Sequence, residues 1–192
     1  MNPFEFFIPQ NIIVGAGTLV RLPECAQKLG GTHAMLLSGP TLRKMGIVDK
    51  AAKYLEDAGM KVDIFTEIEA NPSVTTVEKA TTAFKEAGAD FIVALGGGSP
   101  MDVAKAVGVT AKYGGSITEY EGAHKVPGKI IPLIAIPTTA GTGSEVTAFS
   151  VITDHSRDYK LTVFSYKLFP SYAILDPELL TSAPASVAAA CG

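Results

Sequence analysis

The sequence predicts an α/β fold in which a parallel sheet is flanked by helices and preceded by an N-terminal strand pair. Amphipathic helical stretches alternate with short apolar runs from residue 33 to residue 137. One run, FIVAL at residues 91–95, is continuously apolar, as expected of a strand covered on both faces. Glycine-rich segments follow two of these runs, at the strand ends outside which such sheets bind ligands. Repeated strand, helix, strand units require right-handed crossovers, so the domain is Rossmann-like.

The elements follow in order. Residues 4–8 and 11–14 make the opening strand pair. VGAGTLV then begins as G-x-G, but Val20 fills the third glycine position of a dinucleotide fingerprint, so Gly15 and Gly17 are expected to be turn residues. HAMLLS, residues 33–38, is a strand, followed by a helix over about 41–58 that Gly59 stops and by a second strand, MKVDIF, at 60–65. Asn71-Pro72 makes a turn and Ser73 caps a helix with Val74, Val77, Ala80 and Phe84 at helical spacing, which Gly88 ends. After FIVAL come three glycines, a helix to about residue 112 and the strand PLIAIP at 132–137. Beyond Thr138 the pattern turns to short strands in AFSVIT, YKLTVF and YAILD.

Composition excludes several classes. The 192 residues suit one domain, and the charged fraction of 18% is below the common ~25%. A net charge of -3 without any cluster of Lys and Arg gives no footprint for nucleic acid. Cys25 and Cys191 lack the spacing of a zinc or redox pair, so a reducing compartment is expected. The opening MNPFEFFIPQ lacks a signal-peptide pattern and no apolar run nears the ~20 residues of a membrane span, so a cytoplasmic protein is expected, with no membrane partner. His33, His124 and His155 stand apart and are assigned to no metal.

Two segments carry candidate chemistry. In LGGGSPMDVAK, residues 95–105, Ser99 is the expected N-cap, with Pro100 at the first helical position. The first amides of a helix lack internal partners and sit at the positive end of its dipole, and glycines let a phosphate approach them closely. A pyrophosphate would fit against Gly97, Gly98 and Ser99. The alternative is that the glycines serve only a tight turn and close packing. Met101 fills the last glycine position of the fingerprint and no Lys-Ser/Thr end is present, so motif matching alone names no nucleotide. Asp102 and Lys105 read as an i, i+3 pair that supports the helix. In PTTAGTGSEVTAFSVITD, residues 137–154, the hydroxyls of Thr138, Thr139, Thr142 and Ser144 are candidates to meet phosphate or sugar oxygens, and a loop capped by its own hydroxyls is the alternative.

Together, GGGSPMDVAK and PTTAGTGSEVTAFSVITD resemble the iron-containing (group III) alcohol dehydrogenases, of the lactaldehyde reductase and 1,3-propanediol dehydrogenase type. The resemblance runs from VGAGTL through NPSV, IPTTAGTGSEVT and VITD to ILDPELL. It implies an N-terminal nucleotide-binding domain, then an all-helical C-terminal domain, with NAD(P) and a divalent metal, Fe2+ or Zn2+, in the cleft between them. It places the pyrophosphate at Gly97, Gly98 and Ser99, and sets Asn71, Thr138, Thr139, Thr142, Lys160 and Leu180 around the cofactor. Phe149 and Val151 would face the nicotinamide and the small alcohol or aldehyde substrate; core packing is an equal reading.

Two departures from the family pattern bear on function. NAD-preferring members carry an Asp after the strand that HAMLLS matches, where this chain has Ser38-Gly39-Pro40. A carboxylate there bonds the ribose 2′-hydroxyl and repels a 2′-phosphate, so Gly39 implies that NADP(H) is accepted at least as well as NAD(H). The sequence also ends at Gly192, before the Asp and three His that hold the family's metal. The expectation is a nucleotide-binding domain at residues 1–183 and the first residues of the helical domain at 184–192. Such a fragment would bind cofactor weakly, hold no catalytic metal and turn over no alcohol. The rivals are a relative of the glycerol dehydrogenase or dehydroquinate synthase type and a non-catalytic nucleotide-binding module. An exposed edge in the opening strands makes a homodimer the expected assembly.

Overall fold

The computed structural model describes residues 7–181. In chain order the elements are β1 (Asn11–Val14), α1 (Leu22–Lys28), β2 (His33–Leu37), α2 (Pro40–Lys44), α3 (Ile47–Asp57), β3 (Lys61–Phe65), α4 (Val74–Ala87), β4 (Phe91–Gly96), α5 (Gly98–Tyr113), β5 (Gly122–Ala123), β6 (Leu133–Pro137), β7 (Phe149–Asp154), β8 (Tyr159–Phe164), β9 (Tyr172–Leu175) and α6 (Pro177–Leu180).

Six strands form one sheet in the order β1-β9-β6-β4-β2-β3, and every pairing within it is parallel. Its interior strands are apolar because both faces are covered: all six residues of β4 are buried. One face packs on α4 and α5 through Met35, Leu37, Ile92, Ala94 and Val107, and the other on α1 and α3 through Leu36, Val93, Ile134 and Leu55. After β2 the chain moves outward to β3, then returns across β2 to β4. That reversal opens a crevice at the carboxyl ends of β2 and β4, where such sheets bind ligands. Gly39 and Gly97 follow those two ends.

α5 is the central helix. Of its sixteen residues, Pro100, Met101 and every residue from Val103 to Thr110 are buried, because the sheet covers one side and the β7–β8 hairpin another. The hairpin is antiparallel and forms a small second sheet with β5.

Several details differ from expectation. β1 forms as predicted, but it pairs with β9. Phe7 and Ile8 lie in no strand, and the rest of the predicted partner, 4–6, lies outside the described residues. The helix expected over 41–58 is two, α2 and α3, separated at Gly46, whose φ of 74° is a left-handed turn that a continuing helix cannot contain. Ser99 is not the cap of α5; Gly97 is, in extended conformation, and Ser99 is already inside the helix. Ser73 does cap α4, accepting from the Thr76 amide, and Gly88 ends it. The domain boundary placed at 183/184, and Cys191, lie outside the described residues.

Candidate functional site

The three glycines before α5 serve different purposes. Gly96 has φ +150°, and a Cβ there would meet Pro100 Cγ at 2.8 Å, so it permits the turn and the packing of Pro100. Gly97 backs onto Thr139, whose Oγ1 would lie 3.0 Å from an added Cβ. At Gly98 an added Cβ would only touch Thr142, at 3.5 Å, an ordinary contact. Nothing in the fold therefore demands a glycine at 98. What it provides is open access to amides at the N-terminus of a sixteen-residue helix that no side chain caps.

The other glycine turn shows the opposite situation. The amides of Gly17 and Leu19 donate to the two carboxylate oxygens of buried Asp176, each at 3.0 Å. A carboxylate of the protein already occupies that anion position, and Gly15 and Gly17 are turn residues as expected.

Two cavities border the loop from Thr139 to Thr142, and the first of them takes in the α5 N-terminus. The first, about 470 Å³, is lined by Asn71, Gly98, Ser99, Thr142, Ser144, Phe149, Val151 and Lys160, all candidates from the sequence, and by Pro72, Asp102, Thr147 and Thr153. The second, about 300 Å³, is lined by Thr139 and Leu180 with apolar Val14, Pro137, Leu175 and Pro177, and with Asp176 and Glu145 on its polar side. The loop from Thr139 to Thr142 separates them and contributes to both.

Three of the candidate residues, Gly97, Thr138 and Gly39, line neither cavity, and Gly97 backs onto Thr139. Thr138 is buried and its amide donates to Gly96 O at 2.9 Å, so it joins the ends of β6 and β4. Gly39 sits at the crevice after β2 with φ -92° and ψ 161°, a backbone that any residue can adopt.

Asp102 and Lys105 do not pair directly, which corrects the helix-support reading. Ser144 lies between them, donating to Asp102 Oδ1 at 2.6 Å and accepting from Lys105 Nζ at 3.2 Å. Lys105, fully buried, also donates to Thr147 Oγ1 at 3.2 Å and to the Phe149 carbonyl at 2.8 Å. Asp102 further accepts from the Val151 amide at 3.3 Å, and its backbone carbonyl accepts from Ser150 Oγ at 2.8 Å. Two charges one turn apart on α5 thus anchor the strand that forms the far side of the first cavity. Burial pushes the Asp102 carboxyl up, against the Ser144 bond and the Lys105 charge. Burial also lowers the Lys105 ammonium to about 8, against the attraction of Asp102.

Across the same cavity Lys160, on β8, donates to Asn71 Oδ1 at 2.9 Å. Phe149 is exposed and stacks on Phe164, with ring centroids 4.7 Å apart, so it is a cavity wall and not the core residue of the alternative reading. Among the described residues no three of His, Cys, Asp and Glu are grouped to hold a metal ion, and no helix is long and apolar enough to cross a membrane.

The family model for iron-containing alcohol dehydrogenases matches residues 9–177. The chain is 38% identical over 188 residues to an NAD-dependent methanol dehydrogenase of Bacillus methanolicus, covering 98% of this chain and 49% of the relative. Its structure is similar to that of a 1,3-propanediol oxidoreductase (TM-score 0.95, 37% identity, 99% of this chain and 50% of the other). It is also similar to a sulfoacetaldehyde reductase from Bifidobacterium kashiwanohense in complex with NAD+ (TM-score 0.90, 34% identity, 97% of this chain and 50% of the other). The chain therefore spans about half the length of these relatives. Neither the glycerol dehydrogenase or dehydroquinate synthase type nor a non-catalytic module is favoured by these matches. With a family match over most of its length and a shared fold built on the same parallel sheet, the chain belongs to the iron-containing alcohol dehydrogenase family.

Proposed function

We propose that this domain binds a nicotinamide dinucleotide across the α5 N-terminus, as the cofactor-holding half of an alcohol dehydrogenase. The observation that carries the reading is the uncapped start of α5 lining a cavity of mixed polarity, with a second, more apolar cavity sharing the Thr139–Thr142 loop with it. The amides of Gly97, Gly98 and Ser99 hold the pyrophosphate, whose negative charge suits the helix dipole. Adenine occupies the apolar cavity beside Thr139 and Leu180. The nicotinamide half enters the first cavity, where Thr142, Asn71 and Lys160 meet ribose and phosphate oxygens and Phe149 and Val151 face the ring.

When bound, the cofactor supplies hydride exchange with an alcohol carbon. This chain's own residues orient the nicotinamide: the Asp102, Ser144 and Lys105 network holds the backbone of Phe149 and Val151 against α5. The described residues offer no grouped donor set for a divalent metal. The domain is expected to bind dinucleotide. NADP(H) is accepted at least as well as NAD(H), because Gly39 leaves no carboxylate to repel a 2′-phosphate. Small alcohols and aldehydes are the substrate class, the protein works in the cytoplasm, and the exposed side chains of Ile12 and Val14 on edge strand β1 favour a homodimer. Fluorescence titration with NADH and NADPH tests the reading: saturable enhancement with both supports it, and none with either refutes it.

A further inference from the structure

We propose that Glu69 is a positioning residue for the dinucleotide, because its carboxylate closes the turn that presents Asn71 to the cleft. The proposal rests on the reading that this cleft binds a dinucleotide.

Asn71 has φ 54°, a left-handed backbone that asparagine adopts more readily than other non-glycine residues and that the contacts around it hold in place. Those contacts lie on either side of it. Upstream and downstream ends of the turn are joined by Glu69: Oε1 accepts from the Ser73 amide at 2.9 Å, and the two carboxylate oxygens lie 2.7 and 2.8 Å from Thr76 Oγ1, which donates. Ser73 Oγ in turn accepts from the Thr76 amide at 3.2 Å. The carboxylate thus sits over the first turn of α4, where the helix dipole favours negative charge. Partial burial pushes its pKa up, but the bonds from Thr76 and Ser73 outweigh that and the net direction is down.

The apex of this closed turn is what reaches the hairpin. Thr153 donates its amide to Pro72 O at 2.8 Å and its hydroxyl to Asn71 O at 3.3 Å, and Lys160 donates to Asn71 Oδ1. Asn71, Pro72, Thr153 and Lys160 all line the first cavity. Glu69 does not line it and makes no ion pair among the described residues. Its effect on the cleft passes through the shape of the turn.

The test is the NADPH dissociation constant, by fluorescence, for the wild-type chain and for Glu69→Ala, Glu69→Gln, Thr76→Val, Asn71→Ala and the Glu69→Ala/Asn71→Ala double variant. Loss of these charge-assisted bonds in Glu69→Ala is expected to weaken binding about five- to tenfold. Glu69→Gln, whose amide oxygen still accepts from Ser73 and Thr76, recovers to within about twofold. Thr76→Val repeats the loss from the other partner and serves if Glu69→Ala fails to fold. In the Asn71→Ala background, Glu69→Ala adds nothing, an outcome that a general loss of stability does not produce. Wild-type affinity in both Glu69→Ala and Thr76→Val, or full additivity with Asn71→Ala, overturns the proposal alone. No saturable binding by the wild-type chain overturns the dinucleotide reading and this proposal with it.

Discussion

Lys105 on α5 donates from Nζ to the backbone carbonyl of Phe149 on β7, at 2.8 Å. The bond ties the cavity's aromatic wall to the same helix whose first turn lines that cavity. A buried ammonium with three oxygen acceptors and a carboxylate one hydroxyl away holds that wall in register.

Lys105→Met keeps most of the side-chain volume and removes the donor. The Phe149 carbonyl and the Ser144 and Thr147 hydroxyls lose a partner, and half-buried Asp102 loses the positive charge of Lys105. The expected loss is about 1–3 kcal/mol in urea denaturation at neutral pH. NADPH affinity is expected to fall as well, because the wall at 144–151 loosens.

The same group sets a pH dependence. The folded value of Lys105, about 8, lies below its ordinary value of 10.5. Between those values the unfolded chain binds the extra proton, so this group's contribution to stability rises with pH across the window and is flat below about 8. Denaturation midpoints measured below and within the window should show this rise for the wild type. The rise should be smaller in Lys105→Met; equal slopes in the two proteins contradict the assignment.

Much of the sheet was legible in the sequence because its signals are local. Periodicity, the Ser73 cap, Gly88 and the buried run at 91–95 each act within a few residues. What was not legible depends on partners far along the chain. Asp102 and Lys105 read as a helix pair because their true partners, Ser144, Thr147 and Phe149, are about forty residues later and meet α5 only once the hairpin has packed on it. The opening strand was found, but not its partner, since β9 comes some 160 residues later and no turn signal links them. The break at Gly46 carried a signal, a glycine inside a helical pattern, which is tolerated often enough to be passed over. Of the cavity residues, Gly98, Ser99, Thr139, Thr142 and Ser144 were legible in the two glycine- and hydroxyl-rich segments, whereas Asn71, Phe149, Val151, Lys160 and Leu180 came only through the family resemblance, and Gly39, Gly97 and Thr138 line neither cavity.

Gly98→Ala separates binding from folding. An alanine Cβ there meets Thr142 at ordinary contact distance, and Ala is the better helix former, so stability should hold or rise by up to about 1 kcal/mol. The methyl group would stand at the proposed pyrophosphate position, so NADPH binding should weaken at least about tenfold. Thermal unfolding and fluorescence titration on one sample give both values.

Gly39→Asp reads cofactor choice. The backbone at Gly39 accepts any residue, and Asp is a better N-cap for α2 than Gly, so the fold should be unharmed. A carboxylate at the ribose should weaken NADPH binding about tenfold or more and leave NADH binding equal or tighter. Calorimetric titration with each cofactor measures the switch; an unchanged ratio places the 2′-position elsewhere.

The central claim, that main-chain amides at the start of α5 grip the diphosphate, is tested most directly by amide chemical shifts in a two-dimensional NMR titration with NADPH. The largest changes are expected on Gly97, Gly98 and Ser99, with smaller ones at Thr139 and Thr142. Saturation of the chain with those three amides unmoved would contradict it.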